Sequence, residues 1–301
     1  MGPRAFSGIH AVLYAMFDER EQLDRAAMRA QVRACVAAGV DGIVVLGLAT
    51  EVAKLSEREQ RDVIVWAAED VAGRAPLGVT IYGNAVESQL ALLHDAERSG
   101  ADWLILQPPS VGQYGPKEIA RCFAHLAAAA TRPVAIQNAP ALMGRGLDPD
   151  EISALIAAQP TITHLKAEMP VLQLASLTAA CGDRLTVLGG QGGLEMLDAL
   201  RAGCRGFVLA PDMVDHAVRI WRLWRDGEVE AASRAYEFVL PEIVFAMRSL
   251  EHLLTYGKRI FARRTGLAAG DRLPCQPPTE FGLACVERYA AALGPFGAPA
   301  C

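Results

Sequence analysis

Residues 37–47, AAGVDGIVVLG, hold the fold in miniature. Alanines close an amphipathic stretch, a glycine stands where a helix would stop, and an apolar run long enough for one strand follows. Glycine just past a last helical turn adopts a left-handed φ at no steric cost, which makes it a common helix stop. The same grammar returns in RSGADWLILQ (98–107) and RAGCRGFVLA (201–210). Outward from these, runs suited to strands lie at 9–13, 42–47, 77–81, 102–106, 133–136, 162–166, 185–189 and 206–210. Their starts fall roughly 20 to 35 residues apart, room for a strand, a helix and two short loops.

Amphipathic stretches fill the gaps at 21–38, 56–72, 86–99 and 116–130. Ser56 with Glu59 three residues on predicts a capping box, and Pro116 suits a first helical turn. Eight such units with parallel strands predict an α/β chain closed into a (β/α)8 TIM barrel. An open doubly wound sheet rarely uses eight units, and no G-x-G-x-x-G follows the first strand. After residue 212 the pattern is helical only, at 213–226, 228–250, on to about 265, and 278–293. Residues 1–225 are therefore assigned to the barrel and 226–301 to a C-terminal helical extension packed on it.

The 301-residue chain is 52% hydrophobic and 21% charged, enough to bury a large core. A net charge of −5 without basic runs argues against nucleic acid or an anionic membrane as partner. No apolar stretch reaches the roughly 18 residues of a membrane span. The start, Met1-Gly2-Pro3-Arg4, makes neither a clear secretory nor a myristoylation signal. Seven scattered cysteines without a C-x-x-C pair fit reduced thiols of a cytoplasmic protein. The six histidines lack zinc-site spacings, so no metal or other cofactor is expected. Lysine is scarce, occurring only at Lys54, Lys117, Lys166 and Lys258.

In a barrel of this kind substrates bind at the C-terminal ends of the strands. The segments there include GLATE (47–51), QPPS (107–110), QNAP (137–140), KAE (166–168) and GGQGG (189–193). They offer glycines, small residues, amides and one amine, Lys166. A lysine in an apolar strand can attack a ketone, lose water and form an iminium that draws electrons from the next carbon. Only about one free lysine in 2,500 is neutral at pH 7, and apolar surroundings favour that neutral form. By itself the strand-ending lysine is better explained by a surface charge.

The order GLATEVAKLSEREQ after the second strand, QNAP after the fifth, HLKAE at the sixth and GGQGG after the seventh resembles the dihydrodipicolinate synthase / N-acetylneuraminate lyase family of Schiff-base barrels. The resemblance covers nearly the whole chain. It implies that Lys166 forms an imine with pyruvate or another 2-oxo acid. It implies too that the 47–51 segment holds the oxo acid's carboxylate through main-chain amides and hydroxyls, and that the chain assembles as a homotetramer. Departures are informative. The family's threonine pair is Leu48 and Ala49, leaving Thr50 as the nearby hydroxyl. The family's proton-shuttling tyrosine is Gln137, an amide without acid or base chemistry near neutral pH. Glu168, two residues beyond Lys166, is the best-placed replacement. The arginine that grips a second carboxylate in dihydrodipicolinate synthases is Leu142, with Arg145 three residues on. These features are closer to the branch acting on 2-keto-3-deoxy sugar acids, 2-keto-3-deoxy-L-arabonate dehydratases being the nearest named members.

The expected catalytic pair is thus Lys166 and Glu168, with Leu48, Ala49, Thr50, Gln137, Asn138, Gly190 and Gln191 around the substrate. The expected activity is a Schiff-base lyase on a small 2-oxo acid, a dehydratase or aldolase of a 2-keto-3-deoxy sugar acid. Alternatives are a pyruvate aldolase like dihydrodipicolinate synthase, an inactive barrel that senses a 2-oxo acid, and a phosphate-binding barrel using GGQGG without covalent use of Lys166.

Overall fold

A computed structural model describes residues 6–298, so the Met-Gly start and Cys301 lie outside it. Eight parallel strands form a closed barrel: β1 Gly8–Val12, β2 Gly42–Val45, β3 Leu77–Ile81, β4 Trp103–Leu106, β5 Val134–Asn138, β6 Ile162–Ala167, β7 Thr186–Gly189 and β8 Gly206–Leu209. β8 returns to pair with β1, Gly8 beside Gly206 and Ala11 beside Leu209. The expected TIM barrel is therefore the observed architecture.

The punctuation works as its chemistry dictates. Gly39, Gly100 and Gly203 take φ of 84°, 95° and 101° just beyond their helices. Ser56 and Glu59 form the reciprocal capping box at the start of helix Glu57–Val71, and Pro116 opens helix Pro116–Ala129. The first helix starts at Arg25 rather than 21, because the Asp24 side chain accepts the Ala26 and Ala27 N–H groups and sets the boundary there. β2 stops at Val45, since Leu46 turns left-handed (φ 61°) and Leu48–Thr50 form a tight helical turn. β5 extends two residues past the apolar run, taking Gln137 and Asn138 into the sheet opposite Lys166 and Ala167. Hydropathy could not show this, because those two strand positions are polar.

The barrel floor is aromatic. Trp103, fully buried, stacks on Phe6 at 5.4 Å and lies 5.3 Å from the His10 ring and 6.0 Å from His164. Side chains alternate along a strand, so Lys166 shares the inner face of β6 with His164, one layer higher. Burial, then the neighbouring His10, holds the His164 imidazole down to about 4. Burial likewise lowers His10.

Helix Val214–Arg225 completes the eighth unit. The expected 228–250 helix ends at Ala246; Ser249 then turns extended and its hydroxyl caps His252, starting a new helix that runs through a wide turn at Leu253–Gly257 to Thr265. Helix Glu280–Leu293 follows. Buried polar contacts bind this tail to the barrel. Lys258, 0% exposed, donates to Glu51 at 2.7 Å, and Arg264 donates to the Asp215 carboxylate and the Asp212 carbonyl. Among the described residues no helix is long and apolar enough to cross a membrane.

Candidate active site

At the C-terminal end of the barrel, Lys166 and Glu168 are each 5% exposed. Lys166 is the penultimate residue of β6, and Glu168 is the first residue beyond that strand. The Glu168 N–H donates to the Asn138 carbonyl at 2.8 Å, which extends the sheet by one rung and turns the carboxylate back over the barrel. Glu168 Oε2 lies 3.4 Å from Lys166 Nζ and accepts Gln137 Nε2 at 2.6 Å. The other oxygen accepts the Gln191 N–H at 3.3 Å. A Cβ on Gly190 would stand 2.4 Å from Glu168 Cγ, so that glycine leaves the space the carboxylate occupies. Five of the expected residues, Lys166, Glu168, Gln137, Gly190 and Gln191, thus meet in one cluster. Gly190 and Gln191 serve the carboxylate there, a part not foreseen for them.

Two residues that the sequence does not single out extend the cluster. Gln107, directly after β4 and fully buried, donates Nε2 to Gln137 Oε1 at 2.8 Å. Gln89, also fully buried, donates to the Gln107 carbonyl at 3.0 Å. The available signal was an amide closing the apolar run WLILQ, but its partner lies 30 residues away, beyond any local pattern.

The remaining expectations land differently. The Thr50 hydroxyl donates to the Leu13 carbonyl at 2.6 Å, so its proton is spent on the chain and only its lone pairs remain for a ligand. Leu48 and Ala49 sit with it in the turn after β2. Both ends of the Asn138 amide bind Leu147, donating at 2.9 Å and accepting at 2.8 Å, so this side chain closes the loop after β5. Arg145 donates to the Pro109 carbonyl at 2.8 Å and pins the loop after β4. Glu51 fixes its loop through Lys54 at 2.6 Å and Lys258 at 2.7 Å.

A second buried group lies near the ends of β1 and β8. Tyr14 donates its hydroxyl to Asp212 at 2.9 Å, and Glu242 of helix Val229–Ala246 packs on the same carboxyl. Burial, then the charge of Asp212, raises Glu242 well above the usual carboxylate range. Among the described residues no group of three or more His, Cys, Asp or Glu is placed to hold a metal ion.

Chemically the cluster can do two things. The Lys166 amine faces a carboxylate capable of taking a proton, and the amide beside that carboxylate can only orient it. No phenol stands between them.

Comparison with known proteins agrees with this geometry at the level of family. The chain is 31% identical over 296 residues to the 4-hydroxy-tetrahydrodipicolinate synthase of Xanthomonas campestris pv. campestris, covering 95% of this chain and 94% of that protein. It is 26% identical over 247 residues to the "Probable 2-dehydro-3-deoxy-D-pentonate aldolase YjhH" of Escherichia coli, covering 76% and 78%. The crystal structure of YagE from E. coli K12 in complex with pyruvate shares the fold with a TM-score of 0.88 at 24% identity, over 96% of this chain and 98% of that one. Residues 5–289 match a single family description. The chain belongs to the Dihydrodipicolinate synthetase family.

Proposed function

We propose that this protein is a Schiff-base-forming lyase acting on a small 2-oxo acid, and specifically a dehydratase or aldolase of a 2-keto-3-deoxy sugar acid. The observation carrying the reading is the carboxylate of Glu168, 3.4 Å from the Lys166 amine and oriented by an amide, Gln137, where the family resemblance leads one to expect a tyrosine. Lys166 adds to the C2 ketone, water leaves, and the iminium acidifies the C3 hydrogens. Glu168 removes a C3 proton to give the enamine. In dehydration the enamine then expels the C4 hydroxyl, which takes up a proton and departs as water. In the aldolase direction C3 is not deprotonated: from the iminium the C4 hydroxyl gives up its proton, the C3–C4 bond breaks with its electrons forming the enamine, an aldehyde leaves, and C3 then takes up a proton. Hydrolysis of the imine returns the amine.

The synthase-like reading is favoured by the similarity to proteins named 4-hydroxy-tetrahydrodipicolinate synthase, from Xanthomonas and from other organisms. Against it, Leu142 stands where the family's carboxylate-gripping arginine is expected, and Arg145 is engaged by main-chain carbonyls. The inactive-sensor alternative, in which an oxo acid binds without turnover, follows from the loss of the family's tyrosine at Gln137. Borohydride reduction with pyruvate, followed by peptide mass, tests the covalent step. An adduct on Lys166 is expected, and its absence ends the Schiff-base reading. Turnover of a panel of 2-keto-3-deoxy acids, set against pyruvate with aspartate semialdehyde, separates the three. Product from the second pair alone would restore the synthase reading, and adduct without any turnover the sensor. The homotetramer implied by resemblance belongs to the same proposal and is checked by sedimentation.

A further inference from the structure

We propose that Gln107 is a positioning residue that decides which end of the Gln137 amide faces Glu168, and so keeps Glu168 a proton acceptor. The inference rests on the reading of Glu168 as the base. An ionised carboxylate carries only lone pairs, so the group 2.6 Å from Glu168 Oε2 must be the NH2 end of Gln137. The Gln137 oxygen then faces Gln107, which must in turn present its own NH2, as it does at 2.8 Å. The Gln107 main chain is held in place, because the Gln89 side chain donates to its carbonyl at 3.0 Å and its N–H donates to the Ile81 carbonyl at 3.2 Å. Gln89, Gln107 and Gln137 are all at most 1% exposed, so water does not compete.

The far end of Gln107 strengthens the case. Its Oε1 is buried and has no hydrogen-bond partner among the described residues. A buried acceptor without a donor lowers stability, and an apolar side chain of similar size would avoid that. What the amide supplies here, and an apolar chain does not, is the N–H directed at Gln137. The charged group facing Glu168 is Lys166 on its own strand; β5 and the loop after β7 face it with the uncharged Gln137 and the Gln191 N–H.

Two variants read the direction of the chain. Gln107→Glu keeps the shape but replaces the donor with an acceptor. Gln137 must then turn its NH2 to residue 107 and its oxygen to Glu168, or one of the two carboxyls must hold a proton. Gln107→Met removes the donor without charge. The assay is exchange of the pyruvate methyl protons in D2O followed by NMR, which reports C3 proton transfer without the native substrate; borohydride trapping on Lys166 serves as the control for fold and imine. With trapping retained, Gln107→Met is expected to slow exchange about tenfold at unchanged pyruvate KM. Gln107→Glu is expected to displace a limb of the pH–exchange profile by about one pH unit or more. In a Gln137→Met background, Gln107→Met should add no further loss, because its effect passes through Gln137. Wild-type exchange rates and profiles in both variants, or an undiminished loss in the Gln137→Met background, overturn the proposal and leave the Lys166 reading standing. Failure of the unaltered protein to trap pyruvate overturns both.

Discussion

Gly190→Ala is the sharpest available test of the cluster, because it adds one methyl group and touches one catalytic side chain. That methyl would stand 2.4 Å from Glu168 Cγ and 2.6 Å from Oε1. Carbon atoms in contact sit about 3.5–4.0 Å apart, so the Glu168 side chain must retreat by more than about 1 Å. A shift of that size lengthens the 2.6 Å contact to Gln137 past hydrogen-bonding range and moves the carboxylate from its place beside Lys166. Misplacing a reacting group by about 1 Å costs on the order of 10²-fold in rate. Overpacking at a filled site costs about 1–3 kcal/mol, which the protein should survive. The expected result is borohydride trapping close to that of the unaltered protein with methyl-proton exchange about 100-fold slower. In a Glu168→Gln background, itself expected to lose roughly 10²–10⁴-fold, the extra methyl should change nothing more. Undiminished exchange in Gly190→Ala would refute the placement of Glu168 as the base; a loss that persists in the double variant would show that Gly190 acts on something else.

Lys166→Ala should abolish the reduced pyruvate adduct, and labelling at another lysine by mass spectrometry would overturn the assignment. The aromatic floor should make the barrel acid-sensitive. His164 titrates near 4 when folded against 6.5 in the unfolded chain, so the unfolded state binds the extra proton between those values and stability falls as pH drops from about 6.5 to about 4. The difference is worth about 3 kcal/mol; denaturant titrations at both ends of that window should show His164→Leu losing less stability than the parent, and equal losses would contradict the origin given. Glu242 behaves with the opposite sign: its folded pKa is raised, so stability is full below the unfolded value of 4.5 and is lost as pH climbs above it. Glu242→Gln has no proton to shed and should raise Tm relative to the parent at about pH 8 but not at about pH 5.

Much of the barrel was readable because its signals are local. An apolar run of a few residues, closed upstream by a glycine at left-handed φ, names a strand and the end of the helix before it, and Ser56 with Glu59 names the start of another. The expectation for Lys166 and Glu168 came from the family resemblance rather than from a local signal, and the structure brings the two side chains together at the end of β6. Asn138 and Thr50 are polar residues in the expected loops, but a sequence does not say which main-chain groups their side chains also bind, and here both bond back to the chain. Gln107, Gln89 and Glu242 escaped altogether: their partners lie on other elements, and in their own segments they look like ordinary strand-end and helix residues. The strand ending at Asn138 was cut short because apolar periodicity is blind to a strand's polar tip.

The pairing of Lys258 with Glu51 has a practical corollary. The bend that follows the second strand, which frames the mouth where an oxo acid's carboxylate would rest, is anchored by a residue 207 positions away. Trimming the C-terminus, fusing a partner there, or borrowing the tail of a relative would therefore reach the reaction chamber without altering any of its walls. Engineers wishing to retune this scaffold should treat its last helices as part of the machinery.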